Sequence, residues 1–144
     1  MRNLLGFVAL FVGLSFLPPP AQSQQQTILY VNQTDATCGG VFPCFTTIQA
    51  AINAVQAGAT IRIQAGTYRE RLTIEGKNNA GSMTEASRIV IEMDPALVPG
   101  SVVLRPPAAS CINGQGILIR RSKFITLRGL TISGATGEQI LLFM

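Results

Sequence analysis

Three arginines in this chain stand where they could do chemistry. Arg62, Arg120 and Arg128 each alternate with aliphatic residues, in "TIRI", "GILIR" and "FITLR". In an extended strand, successive side chains point to opposite faces, so these guanidiniums should share the outer side of strands whose aliphatics face inward. A guanidinium fork donates two parallel hydrogen bonds to a carboxylate, so stacked outward arginines would suit an acidic ligand. The competing reading is a solvated face that discourages strands from pairing at a sheet edge. The complementary acid–base groups are sparse. There is no histidine, the only aspartates are Asp35 and Asp94, and the glutamates Glu70, Glu75, Glu85, Glu92 and Glu138 are scattered. No two of them can be paired as acid and base from spacing, so no catalytic residue is assigned. "SGATGEQ" lacks the Gly-Lys-Ser of a phosphate loop.

Cysteine usage points to an oxidising compartment. Cys38 and Cys44 bracket "GGVFP", whose glycines and proline can turn the chain tightly enough to join two thiols, and a disulfide is expected there. Three cysteines, no histidine and no C-x-x-C spacing make a poor metal site. Cys111 has no obvious partner. "MRNLLGFVALFVGLSFLPPPAQS" has a basic start, an apolar run and an Ala21-Gln22-Ser23 ending, the layout of a secretory signal peptide. Its apolar run is shorter than the roughly 20 residues that span a bilayer. No stable membrane insertion is expected after its removal. The net charge of +4 is too mild, and too free of like-charge blocks, to imply nucleic acid. Asn32-Gln33-Thr34 reads either as a glycosylation sequon or as a polar loop triplet.

The elements that must position these residues are short. In "TTIQAAINAVQAG", Ile48, Ala51, Ile52 and Val55 fall on one helical face, Thr46 and Gln49 have the spacing of a capping box, and Gly58 suits a left-handed turn after the end. From Gly58 onward the period switches to two. Strands are expected over 60–64, 71–75, 88–92, 102–105, 116–120, 124–128, 130–133 and 139–143, with one more at 27–31. The Gly-Thr-Tyr of "QAGTYRERL" reads as a corner, with Tyr68 packed on the cap or corner or, alternatively, stacked on a sugar. Gly129 reads as a bend where a side chain would crowd. Corners in place of tight hairpin loops favour an all-β chain coiling around a narrow core as a solenoid. The step from Ile119 to Leu142 then marks one repeat, and the same step would carry Ile74 toward Val102 across a bulging loop.

"FTTIQAAINAVQAGATIRIQAGTYRERLTIEG" resembles the opening of right-handed parallel β-helix proteins of the pectate-lyase-like group, and "SRIVIEMDP" and "SKFITLRGLTISG" resemble their later coils. The resemblance implies an N-terminal capping helix on the first coils of a right-handed parallel β-helix. With the signal layout and the disulfide loop, the chain is expected to divide into a signal peptide (1–23), a leader with the disulfide loop (24–44) and the cap with its coils (45–144), the last expected, from the open strand of "GEQILLFM", to stop short of a full β-helix. The chain is then expected to be an exported scaffold, secreted, periplasmic or on the cell surface, with a structural role or with polysaccharide binding, for which alternation offers Arg62, Arg120 and Arg128 as the outward candidates. Further coils of a full-length chain would be its neighbours. The alternatives are the N-terminal part of a polysaccharide lyase or glycoside hydrolase acting on acidic polysaccharide, and a surface adhesin or accessory stalk. No cofactor is identifiable, and Ca2+ enters only if the full-length protein is such a lyase.

Overall fold

The computed structural model describes residues 26–79, 84–107 and 114–143. Residues 1–23, expected from sequence to be a signal peptide, and Cys111 lie outside them.

Periodicity of two becomes parallel sheet almost wherever it occurs. On a first pass the chain forms β3 (Thr60–Ile63), β4 (Gly66–Tyr68) and β5 (Leu72–Glu75). A second pass forms β6 (Ile89–Met93), β7 (Val102–Leu104) and β8 (Ile117–Arg120). A third forms β9 (Ile125–Arg128), β10 (Thr131–Ile132) and β11 (Ile140–Phe143). Each pass contributes one strand to each of three separate sheets, all pairings being parallel: β3-β6-β9 in sheet A, β4-β7-β10 in sheet B and β5-β8-β11 in sheet C.

Register stacks like on like. Ile61 lies beside Ile91 and Ile91 beside Leu127. Tyr68, Leu104 and Ile132 form a second column, and Ile74, Ile119 and Leu142 a third. Ile61, Ile63, Tyr68, Leu72, Ile74, Ile91 and Leu104 are essentially inaccessible to solvent and belong to one core cluster. Each side chain of this size contributes on the order of 1.5–3 kcal/mol when buried. Ile125, Leu127, Leu130 and Ile132 of the third pass pack against the same core and are only partly covered.

Two expectations are corrected by this register. Gly-Thr-Tyr is strand β4 and not a corner, because its backbone pairs with β7. Ile74 pairs with Ile119 and not near Val102, whose partner is Gly66. The second pass is longer than the third because it carries the segments between β6 and β7 and between β7 and β8. The Ile119-to-Leu142 step holds as a lateral pair. Gly129 has φ +70°, and a Cβ there would stand 2.9 Å from Met93 Cβ, so the bend does need glycine.

The first pass is covered from above. β1 (Ile28–Val31) pairs with β3, and β2 (Cys44–Phe45) pairs with β1, so the segment read as a leader extends sheet A and places Leu29 and Val31 in the core. The Cys38–Cys44 disulfide is present, with Cα atoms 5.7 Å apart, and closes the loop between these strands. Helix α1 (Ile48–Ala54) buries Ile48, Ala51 and Ile52 on the core.

Seven residues are too few to hold a helix alone, and partners from elsewhere in the chain secure both ends. The N-cap is Thr47, one residue later than the capping box expected from Thr46; its hydroxyl accepts from Ala50 N. Glu70 accepts from Ile48 N (2.8 Å) and Gln49 N (2.9 Å), placing a carboxylate at the positive end of the helix. Lys77 Nζ donates to the Asn53 and Val55 carbonyls at the other end (3.2 and 3.3 Å). Gln49 is not the return arm of a box. Its amide bonds both backbone groups of Thr73 (Thr73 N to Oε1 2.7 Å; Nε2 to Thr73 O 3.0 Å), so it occupies the free edge of β5 as a strand would.

Candidate functional site: arginine rows on the outer faces

The parallel register turns outward residues into rows, one residue per pass, with adjacent rungs about 4.8 Å apart. On sheet A the row runs Tyr30, Arg62, Glu92, Arg128. Glu92 stands between the two arginines. Its Oε1 lies 3.3 Å from Arg62 Nη2 and its Oε2 lies 3.5 Å from Arg128 Nη1. The Glu92 side chain is only 9% exposed and Arg62 is 27% exposed, whereas Arg128 remains 70% exposed. Alternation of sign across the rungs satisfies the row internally, since opposite charges on facing positions attract. Arg62 Nε has no protein acceptor among the described residues.

Arg120 is elsewhere. It lies on sheet C, in a row running Glu75, Arg120, Phe143, and is exposed. Arg121 turns back to pair with Glu75. The Arg121 hydrogen bond, reinforced by the Arg120 charge, holds the Glu75 carboxyl below its ordinary value. The three arginines singled out from sequence therefore divide: Arg62 and Arg128 share a face with a carboxylate between them, and Arg120 belongs to a different sheet.

A further row runs past the C-terminal end of the sheet B strands. Arg69 follows β4 directly and Arg105 follows β7, and Arg105 N donates to Tyr68 O (2.8 Å), so the two residues continue the register on neighbouring rungs. Ser133 continues the row on the third pass, with its N donating to Leu104 O (2.9 Å). Both arginines are exposed, and among the described residues neither side chain has an acidic partner. With Pro106, Pro107 and Gly134 they line an open cavity of about 410 Å3. Sequence reasoning missed this row because it took Gly-Thr-Tyr for a corner. The available signal was that Tyr68-Arg69 and Leu104-Arg105 each place an arginine straight after an inward residue.

Beneath that row, Tyr68 is 1% exposed. Its phenol donates to Gln64 O (2.9 Å), and burial pushes its pKa up to about 12. It is a core residue with a satisfied hydroxyl and has no face free for a sugar.

Apart from the exposed Glu138, the carboxylates among the described residues are engaged in holding the fold. Asp35 accepts from the Thr37 hydroxyl, Thr37 N and Gly39 N, which keeps its carboxyl below the usual range and orders the disulfide loop. Glu70 caps α1, Glu75 meets Arg121, Glu85 meets Arg88, and Glu92 bridges two arginines. Asp94 accepts from Gln64 Nε2 (2.7 Å) and Ala96 N (2.9 Å). Among the described residues no three of His, Cys, Asp and Glu stand together as a metal site. A larger cavity, of about 640 Å3, opens beside the end of α1, with Leu29, Pro43, Phe45 and Ala59 in its wall. Its one acid, Glu85, is already paired with Arg88.

No helix among the described residues is long and apolar enough to cross a membrane. The chain matches no protein family, and neither a curated protein nor a solved structure is significantly similar to it.

Proposed function

We propose that this chain is an exported scaffold, wound as a right-handed parallel β-helix, that holds acidic extracellular or cell-surface polysaccharide on its outward arginines and has no catalytic cluster of its own. Three passes through three parallel sheets in one order support the winding. The right-handed sense is supported by the strand twist that makes parallel crossovers right-handed in nearly all cases. The Cys38–Cys44 disulfide is compatible with an oxidising compartment.

The observation that carries the binding reading is the division of labour among charges. Apart from the exposed Glu138, the carboxylates among the described residues are turned to caps, turns and ion pairs, while Arg120 and Arg128 stay open to solvent on outer faces, Arg128 even as it pairs with Glu92. Outward guanidiniums on a rigid sheet can each donate two hydrogen bonds to a uronate carboxylate.

Affinity electrophoresis tests it. Migration should be retarded in gels containing pectate or alginate relative to a neutral glucan, the retardation should fade with added salt, and R120Q/R128Q should weaken it. Equal migration in acidic and neutral gels contradicts the reading. Calcium-dependent formation of unsaturated uronate by the purified protein overturns its non-catalytic part.

A further inference from the structure

The arginine row at the end of sheet B raises a problem that the row on sheet A does not have. Like charges on directly facing positions of neighbouring strands repel. Sheet A resolves this with Glu92. At the end of sheet B, Arg69 and Arg105 are in register one rung apart, the third place of the row is the neutral Ser133, and the flanking cavity is walled by two prolines and a glycine. The nearest carboxylate in sequence, Glu70, is turned away to the helix N-terminus, where it accepts from Ile48 N and Gln49 N. Two positive charges therefore border a cavity whose wall has no acid among the described residues.

We infer that the cavity bordered by Arg69 and Arg105 binds a phosphate monoester group. Charge and donor geometry choose the ligand class. A carboxylate carries one negative charge and two oxygens, and a single guanidinium fork satisfies it. It would leave the second arginine uncompensated. A phosphate monoester carries close to two negative charges near neutral pH and presents three acceptor oxygens, so it bridges two forks one rung apart. Gly134 removes any side chain from that part of the wall, and its φ of +78° disfavours replacement by a larger residue. Pro106 and Pro107 supply carbon surface beside the bound group. This site is distinct from the outward Arg120 and Arg128 of the polysaccharide reading and does not depend on it.

Arginine Nε–H spectra of the full chain, recorded during separate titrations with inorganic phosphate, a hexose 6-phosphate, acetate and galacturonate, test the inference. Both phosphates should shift the Arg69 and Arg105 signals, and acetate and galacturonate should bind much more weakly. Tighter binding of the hexose phosphate than of inorganic phosphate would identify a sugar-borne group resting on the prolines; equal binding would identify recognition of the oxyanion alone. R69Q and R105Q should each weaken phosphate binding about tenfold or more, the loss of a charge-assisted pair. Both residues are exposed, so the variants should fold, and circular dichroism checks this. R105K, which keeps the charge and loses the fork, should fall between R105Q and the parent. Carboxylates binding as tightly as phosphate, unchanged affinity in R69Q and R105Q, or shifts confined to Arg62 and Arg128 would overturn it.

Discussion

Arg62, Glu92 and Arg128 on sheet A, and Arg69, Arg105 and Ser133 at the end of sheet B, are built by the same device. In both, parallel pairing lays one outward residue from each pass beside the next. On sheet A the middle rung is a largely covered carboxylate with an arginine on each side, which leaves the row a single net positive charge. At the end of sheet B the first two rungs are both cationic and open, and a cavity takes the place of the missing acid. The first row holds a surface together. The second keeps a mutual repulsion that a bound dianion would relieve. In a stacked fold the sign of the neighbour one rung away decides how much charge a row of outward arginines leaves for a ligand: the row on sheet A can take a single carboxylate on Arg128, whereas Arg69 and Arg105 together call for a dianion.

The largest effect should come from removing the acid on sheet A. E92A leaves Arg62 partly buried beside Arg128 with no counter-charge, recreating on that face the condition found at sheet B. Breaking a partly covered pair in this way should cost about 2 kcal/mol in urea unfolding. A cost near zero would mean that the row on sheet A is only a solvated face.

A smaller loss is expected at Glu70, the carboxylate adjacent in sequence to Arg69 that does not compensate it. E70A strips two charge-assisted hydrogen bonds from the first turn of α1 and should cost about 1.5 kcal/mol. Phosphate affinity at Arg69 and Arg105 should stay unchanged. A large rise in phosphate affinity in E70A would show that Glu70 had been neutralising the row, and the contrast between the two rows would weaken.

Much of this architecture was legible in the sequence. Strict alternation located the strands and their inward aliphatics, and the face formed by Ile48, Ala51 and Ile52 located the cap. The tight loop between Cys38 and Cys44 gave the disulfide, and crowding gave the bend at Gly129. These are local signals, set within a few residues.

What sequence left open depends on lateral register across passes of unequal length. The insertions of the second pass carry Ile74 to Ile119 and Gly66 to Val102, and no fixed step predicts those pairs. For the same reason Glu92 could not be placed between Arg62 and Arg128, nor Arg105 beside Arg69. Strand β4 was hidden because Gly66-Thr67-Tyr68 is too short to show alternation and begins with a residue typical of turns. The roles of Glu70, Lys77 and Gln49 at the helix and the β5 edge were hidden because each partner lies more than twenty residues away.

The contrast between the rows is tested most directly by measuring the unfolding free energies of E92Q and R105Q side by side, without phosphate and at low ionic strength. E92Q should be destabilised. R105Q should be unchanged or more stable, by about 0.3 kcal/mol, because it removes a like-charge pair, and any gain should shrink as salt is added. If R105Q loses as much stability as E92Q, the row at sheet B is structural and the division between the two faces is wrong.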